Sequence, residues 1–344
     1  MPRKFDVPAL VEGVLAGNRS AVAQSITLVE SKLPAHRPLA KELLQHLTSP
    51  EVRGSREPAV RVGISGVPGA GKSTFINAMG MRLVEQGHQV AVLAVDPSSS
   101  RTGGSVLGDR TRMGELTQTE AAFVRPSPSG QHLGGVARAT REAMLVVEAA
   151  GFDVVIVETV GVGQSEVAVK GMVDTFLMLA VSGTGDQLQG IKRGILEICD
   201  VIAVNKADGD NAGEARVCAR DLSIAMKLVT EATAGRRCPV LTCSALHKIS
   251  LDEVWAAVLE HRTWLEEHGG LEHYRSEQQV VWMRSQIEAA LLDSRRANET
   301  LRSLTSQLES DVRAGRLGAM DAAQDFLAIY ATQVASFGWE PREH

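Results

Sequence analysis

The octapeptide Gly66-Val67-Pro68-Gly69-Ala70-Gly71-Lys72-Ser73 constrains this chain more than any other feature. It fits G-x-x-x-x-G-K-[ST], a phosphate-binding loop that needs a strand before it and a helix after it. Val60–Ser65 is apolar enough for a buried strand, and Thr74 to about Glu85 reads as a helix. Glycines 66, 69 and 71 let backbone N–H groups curl around phosphate oxygens with no Cβ in the way. The helix N-terminus adds partial positive charge. Lys72 reaches the terminal phosphates, the Ser73 hydroxyl suits Mg²⁺, and Ala70 and Thr74 complete the cradle.

A second motif reads the base. Asn205-Lys206-Ala207-Asp208 follows the apolar run Val201–Val204, at the strand edge where open α/β sheets bind ligands. Asp208 can accept from the ring N–H and exocyclic amine of guanine, and adenine has no matching pair of donors. Lys206 can lay its stem over the base, and Asn205 can tie this loop to the phosphate loop. Ser244-Ala245-Leu246 follows another strand-like run, Val240–Thr242, and the Ala245 N–H can meet the guanine carbonyl. In this order the motifs favour guanine over adenine.

The rest of the chain sets limits. At 344 residues it holds one large α/β domain plus helical additions. A net charge of −5 supplies no basic field for nucleic acid or anionic membrane, and 4% aromatics make no base-stacking platform. No apolar run reaches membrane-spanning length. The start, Met1-Pro2-Arg3-Lys4-Phe5-Asp6, has no apolar targeting core, so a cytoplasmic protein is expected. Cys199, Cys218, Cys238 and Cys243 form no C-x-x-C and read as free buried thiols.

Residues 1–54 read as a helical extension. Asp6 caps a helix to Leu15, a second helix runs from about Ser20 to Leu33, and a third from about Pro38 to Leu47. Glu51 to Pro58 reads as a polar linker. Residues 55–268 alternate short β-branched strands with helical patterns, which predicts a mostly parallel sheet covered on both faces. Strands are expected at Val60–Ser65, Val90–Val95, Ala122–Arg125, Val154–Val157, Thr175–Val181, Val201–Val204 and Val240–Thr242. Residues 269–344 read as a helical arm, with one long segment from Glu272 to Val312 and a last helix from Met320 to Val334. Leu301, Leu304, Leu308 and Val312 share one face of it, a pattern that serves an internal core or an oligomer seam alike.

Three strand ends carry candidates for chemistry at the γ-phosphate. Asp96 can hold a Mg²⁺-bound water or orient the attacking water, or simply cap a turn. Asp109, in a glycine-rich and then charged stretch, is a candidate Mg²⁺ ligand. Glu158-Thr159-Val160-Gly161 stands where many GTPases have Asp-x-x-Gly, which offers Glu158 to Mg²⁺ and the Gly161 N–H to the γ-phosphate. Ras-like enzymes place a water-orienting Gln directly after that glycine. Here Val162 occupies the place, so slow intrinsic hydrolysis is expected. Lys192, with Arg193 beside it, is a candidate for neutralising charge on the transferring phosphoryl group, or else a surface cation.

These residues match a family. GVPGAGKST, AVDPSSSRTGGSVLGDRTRM, FVRPSPSGQHLGGVA, ETVGVGQSE, GDQLQGIKRG and NKADGDN resemble the MeaB/ArgK/MMAA P-loop GTPases of the SIMIBI class, over nearly the whole chain. The resemblance implies a G-protein chaperone that uses GTP/GDP and Mg²⁺. Its partner would be an adenosylcobalamin-dependent methylmalonyl-CoA mutase, whose cofactor loading it gates and which it protects. It also implies a homodimer with a C-terminal dimerisation arm, and a mutase-responsive switch at Gly183–Arg193. Other readings are an ATP-dependent kinase of a transport-system protein, a metal-insertion GTPase, and a structural dimer with a vestigial phosphate loop. Asn205–Asp208 speaks against ATP. The nine histidines lack ligand-like spacing. Intact Lys72, Ser73, Glu158 and Asp208 speak against a vestigial site.

Overall fold

The computed structural model describes residues 5–54, 57–95, 113–126, 133–159, 165–183, 193–233 and 236–334. Seven strands form one sheet: β1 (Val60–Gly66), β2 (Val90–Val95), β3 (Ala122–Arg125), β4 (Val154–Thr159), β5 (Thr175–Val181), β6 (Val201–Asn205) and β7 (Val240–Thr242). Their order is β3-β2-β4-β1-β5-β6-β7 and every neighbouring pair is parallel. β1, β2 and β4 are buried along their whole length, which is why they read as unbroken apolar runs.

Alternation along β4 divides the core. Val155 and Val157 face one side with Phe176, Val22, Ile26 and Leu43. Val154 and Ile156 face the other with Phe75, Ile76 and Val254. The N-terminal helices α1 (Val7–Leu15), α2 (Arg19–Val29) and α3 (Arg37–Leu47) thus contribute to the first face. Asp6 and Asn18 cap α1 and α2 by accepting from Ala9 N at 3.2 Å and Ser20 N at 2.9 Å. α2 stops at Val29, short of the expected Leu33, whose backbone is extended ahead of Pro34. The expected linker begins as a helical turn, α4 (Pro50–Gly54).

The remaining helices of this part are α5 (Lys72–Glu85), α6 (Gly114–Gln118), α7 (Leu133–Ala149), α8 (Ser165–Lys170), α9 (Arg193–Leu196), α10 (Ala212–Thr233) and α11 (Leu251–Glu267). The segment expected as one helix from Glu272 to Val312 is two, α12 (Leu271–Ala297) and α13 (Glu299–Arg313). Asn298 interrupts it: its backbone is extended and its side chain accepts from Leu301 N at 3.1 Å, capping α13. α14 (Ala319–Gln333) follows. The chain divides into two compact units, Met1–Gln278 and Gln279–His344, so the boundary falls inside α12. Within the second unit Ser294 and Tyr330 share a hydrogen bond of 2.7 Å, and a groove of about 540 Å³ is lined by Leu308, Val312, Phe326 and Leu327. No helix among the described residues is long and apolar enough to cross a membrane.

Candidate nucleotide site

β1 ends at Gly66 and α5 begins at Lys72, so the phosphate loop leaves the central part of the sheet at its carboxyl edge. Gly71 caps α5 with φ +85°, a backbone that side chains rarely adopt. A Cβ there would lie 2.8 Å from Asn205 Nδ2. The Lys72 ammonium folds over the loop and donates to the carbonyls of Gly66 at 2.7 Å and Val67 at 3.5 Å. Burial pulls the Lys72 pKa below the ordinary lysine value, and the carboxylates of Glu158 and Glu166 oppose that pull. Ser73 is half-buried in the first turn of α5, Thr74 is exposed, and Ala70 is fully buried.

Asn205 joins the two loops. Its Nδ2 donates to the Ala70 carbonyl at 2.8 Å and its Oδ1 accepts from Ala245 N at 2.9 Å. The side chain is 2% exposed, so both bonds are shielded from water. The Ala245 N–H, expected to be able to meet the guanine carbonyl, here donates to Asn205 and fastens the Ser244–Leu246 turn to the phosphate loop. Lys206 adopts φ 61°, a strained conformation for a residue with a side chain. Neighbouring bonds hold it there, from Ala207 N to Cys243 O at 2.9 Å and from Asn211 Nδ2 to the Lys206 carbonyl at 2.6 Å.

Asp208 follows that turn. The Ser244 hydroxyl donates to its Oδ2 and in turn accepts from His247 N at 3.2 Å. His247 Nε2 lies 3.8 Å from Asp208 Oδ1. The carboxylate is therefore held in one orientation, with accepting capacity left over. Leu246 is 73% exposed at the tip of the same turn. His247 thus stands beside the carboxylate of Asp208.

On the other side of β1, Glu158 lies near the end of β4, in register with Ile64, and is 4% exposed. Thr159 donates to Ser65 Oγ at 2.9 Å and fixes this strand end against β1. A second acid, Glu166, opens α8 and is fully buried. Sequence reasoning missed it. The available signal was a carboxylate in the first turn of a short helix directly after the Gly161–Gln164 stretch. Asp96, Asp109, Gly161, Gln164 and Lys192 lie outside the described residues.

The chain matches the family described as Methylmalonyl Co-A mutase-associated GTPase MeaB over residues 22–300. It belongs to this family. A probable GTPase of Mycobacterium tuberculosis is 52% identical over 323 residues, covering 94% of this chain and 95% of that protein. The mouse protein named methylmalonic aciduria type A homolog, mitochondrial, is 41% identical over 332 residues, 95% of this chain and 80% of that one. The crystal structure of a LAO/AO transport system kinase superposes with a TM-score of 0.72 at 36% identity, covering 96% of this chain and 99% of that one. The P-loop sheet with helices on both faces and the GTPase family therefore stand together.

Proposed function

We propose that this GTPase is a chaperone for an adenosylcobalamin-dependent methylmalonyl-CoA mutase, gating cofactor loading and protecting the mutase, and that it works in the cytoplasm as a homodimer. The observation that carries the guanine assignment is the Ser244–Asp208–Asn205 arrangement. It presents a pre-aimed carboxylate at the base position and a buried amide that locks that position to the phosphate loop. The mutase assignment rests on the family and on the names its relatives carry.

In this reading Gly66, Gly69, Ala70, Gly71, Lys72, Ser73 and Thr74 cradle the phosphates. Asn205, Lys206 and Asp208, with Ser244, Ala245 and Leu246, form the base pocket. The donor set fits magnesium, a hard cation that takes oxygen ligands and keeps several waters. Ser73, in the first turn of α5, and Glu158, near the end of β4, offer oxygens, and Asp96, Asp109, Gly161 and Lys192 are proposed to complete the site. Bound magnesium would neutralise charge on the β- and γ-phosphates. Lys72 then gives its proton-rich ammonium to phosphate oxygens in place of the loop carbonyls that now hold it.

Hydrolysis by the protein alone is proposed to be slow, since Val162 directly after Gly161 cannot orient water. A metal-insertion reading is not favoured: among the described residues no group of three or more His, Cys, Asp or Glu side chains could hold a metal ion. The test is GTP turnover with and without the source organism's mutase, with ATP as control. Turnover rising at least about tenfold on adding mutase is the expected result, equivalent to about 1.4 kcal/mol off the barrier. No rise would sink the mutase assignment, and preference for ATP would sink the base pocket.

A further inference from the structure

α8 is a helix of six residues, too short to hold its own position, so its neighbours decide where it lies. Its first turn carries Glu166, buried and acting on the charge of Lys72. Its middle lies on β1, the strand that ends in the phosphate loop. A Cβ at Gly63 would come within 2.7 Å of Val169 Cγ1, so glycine at that place is what lets the helix approach. Its last residue, Lys170, makes a half-buried ion pair with Asp200, and its ammonium sits 5.9 Å from the centre of the Tyr274 ring. Burial raises the Tyr274 pKa, and the interactions of its hydroxyl with Lys170 and Gln278 oppose that rise.

The first two turns of α12 grip the segment that follows. Gln278 Nε2 donates to the carbonyls of Val173 at 2.7 Å and Lys170 at 3.4 Å. Arg275 holds Asp174 through two bonds of 2.8 and 2.6 Å and reaches Ala59 O at 2.6 Å. Asp174 also accepts from Arg61 N at 3.0 Å, at the start of β1. Buried ion pairs of this kind add little net stability compared with apolar packing, but they fix geometry. The far end of α8 and the start of β1 are thus set by one stretch of α12, all within the first unit.

We propose that Lys170, Tyr274 and Gln278 are positioning residues for GTP hydrolysis. They fix α8, which carries the buried Glu166 and packs through Val169 on β1, the strand that ends in the phosphate loop. The site that turns over GTP is thereby governed by the root of a helix that continues beyond Gln278 into the second unit. The proposal rests on the GTP-hydrolysing reading.

The experiment uses the full-length chain and two mild variants, Tyr274→Phe and Gln278→Ala, with Arg82→Ala as reference. Arg82 pairs with Asp252 on an exposed surface and touches none of these groups. GTP affinity is read with a fluorescent analogue and the chemical step by single turnover. Misplacement of a supporting group lowers the chemical rate more than binding, so each variant is expected to hydrolyse about tenfold more slowly with affinity within about twofold of wild type. Hydrogen exchange at residues 165–170 should differ between GTP and GDP in the wild type and lose that difference in Gln278→Ala. Wild-type rates in both folded variants would overturn the proposal, and so would parallel loss of affinity and rate in Tyr274→Phe, which removes a single oxygen. If the wild type neither binds nor hydrolyses GTP, the underlying reading fails before any variant is compared.

Discussion

Asp208 is the residue proposed above to decide the choice of base. Its carboxylate only accepts hydrogen bonds, and the Ser244 hydroxyl already fixes one oxygen. Asp208→Asn replaces one acceptor with a donor of nearly the same shape. Hydrogen bonds to charged groups contribute about 1.5–3 kcal/mol, so GTP affinity should fall by roughly 10- to 100-fold. Xanthosine triphosphate should gain, because its extra carbonyl accepts where guanine donates. Competition binding with the two nucleotides checks both halves, and unchanged GTP affinity would mean that Asp208 does not face the base. The candidate site was legible in the sequence where a motif is contiguous: Gly66–Ser73 and Asn205–Asp208 each carry their chemistry within eight residues or fewer. What was not legible depends on contacts between distant segments. The second bond of Asn205, which takes up the Ala245 N–H, spans forty positions. Glu166 stands out only once α8 is seen to bury a carboxylate of ordinary appearance, and its charge acts on Lys72.

At the scale of elements, β2, β3, β5 and β7 match the strands read from the sequence to the residue. β4 runs two residues past the expected Val157, because its ladder with β2 continues through Ala94↔Glu158 and Val95↔Thr159. Polar side chains end an apolar pattern but not a hydrogen-bond ladder, provided they find partners, as Thr159 does on Ser65. The joint between β5, β6 and α11 carries a consequence for pH. His261 Nδ1 pairs with the Thr175 hydroxyl at 2.9 Å, and Nε2 lies 3.4 Å from Asp200 Oδ1. Burial pulls the imidazole down to about 4 despite the pull of Asp200 in the other direction. In the unfolded chain the same ring titrates near 6.5. The folded pKa is the lower one, so the unfolded state binds the extra proton between these values. Stability is full above about pH 6.5, falls as pH drops towards about 4, and levels off below; the difference is on the order of 3 kcal/mol. Urea unfolding from pH 7 to pH 4 should show this slope in the wild type and a flatter one in His261→Gln. Equal slopes would show that His261 takes its proton in the folded state.

At the scale of the whole molecule the two units bury themselves very differently. The first encloses a sheet with apolar layers on both faces. In the second, Leu301 and Ala322 are the buried apolar side chains among the described residues. Met320 is 77% exposed there, Leu327 61% and Ile287 52%. A unit with so small a core does not cover its own apolar surface, and large exposed apolar patches mark association sites. In the homodimer proposed above, a second copy covers them, and a stable pair must bury on the order of 1,000 Å² or more. Met320→Glu combined with Leu327→Glu places charges on that surface and leaves the nucleotide site alone, since every residue of that site belongs to the first unit. Light scattering at about 10 µM should give twice the chain mass for the wild type and the single chain mass for the double variant, a carboxylate at a buried apolar seam costing several kcal/mol. GTP affinity should stay within about twofold in both, because surface substitutions away from a site change it by less than about 0.5 kcal/mol. A wild type that scatters as a monomer would remove the homodimer and leave the apolar face of the second unit to the mutase. A double variant that remains dimeric would move the seam elsewhere on the chain.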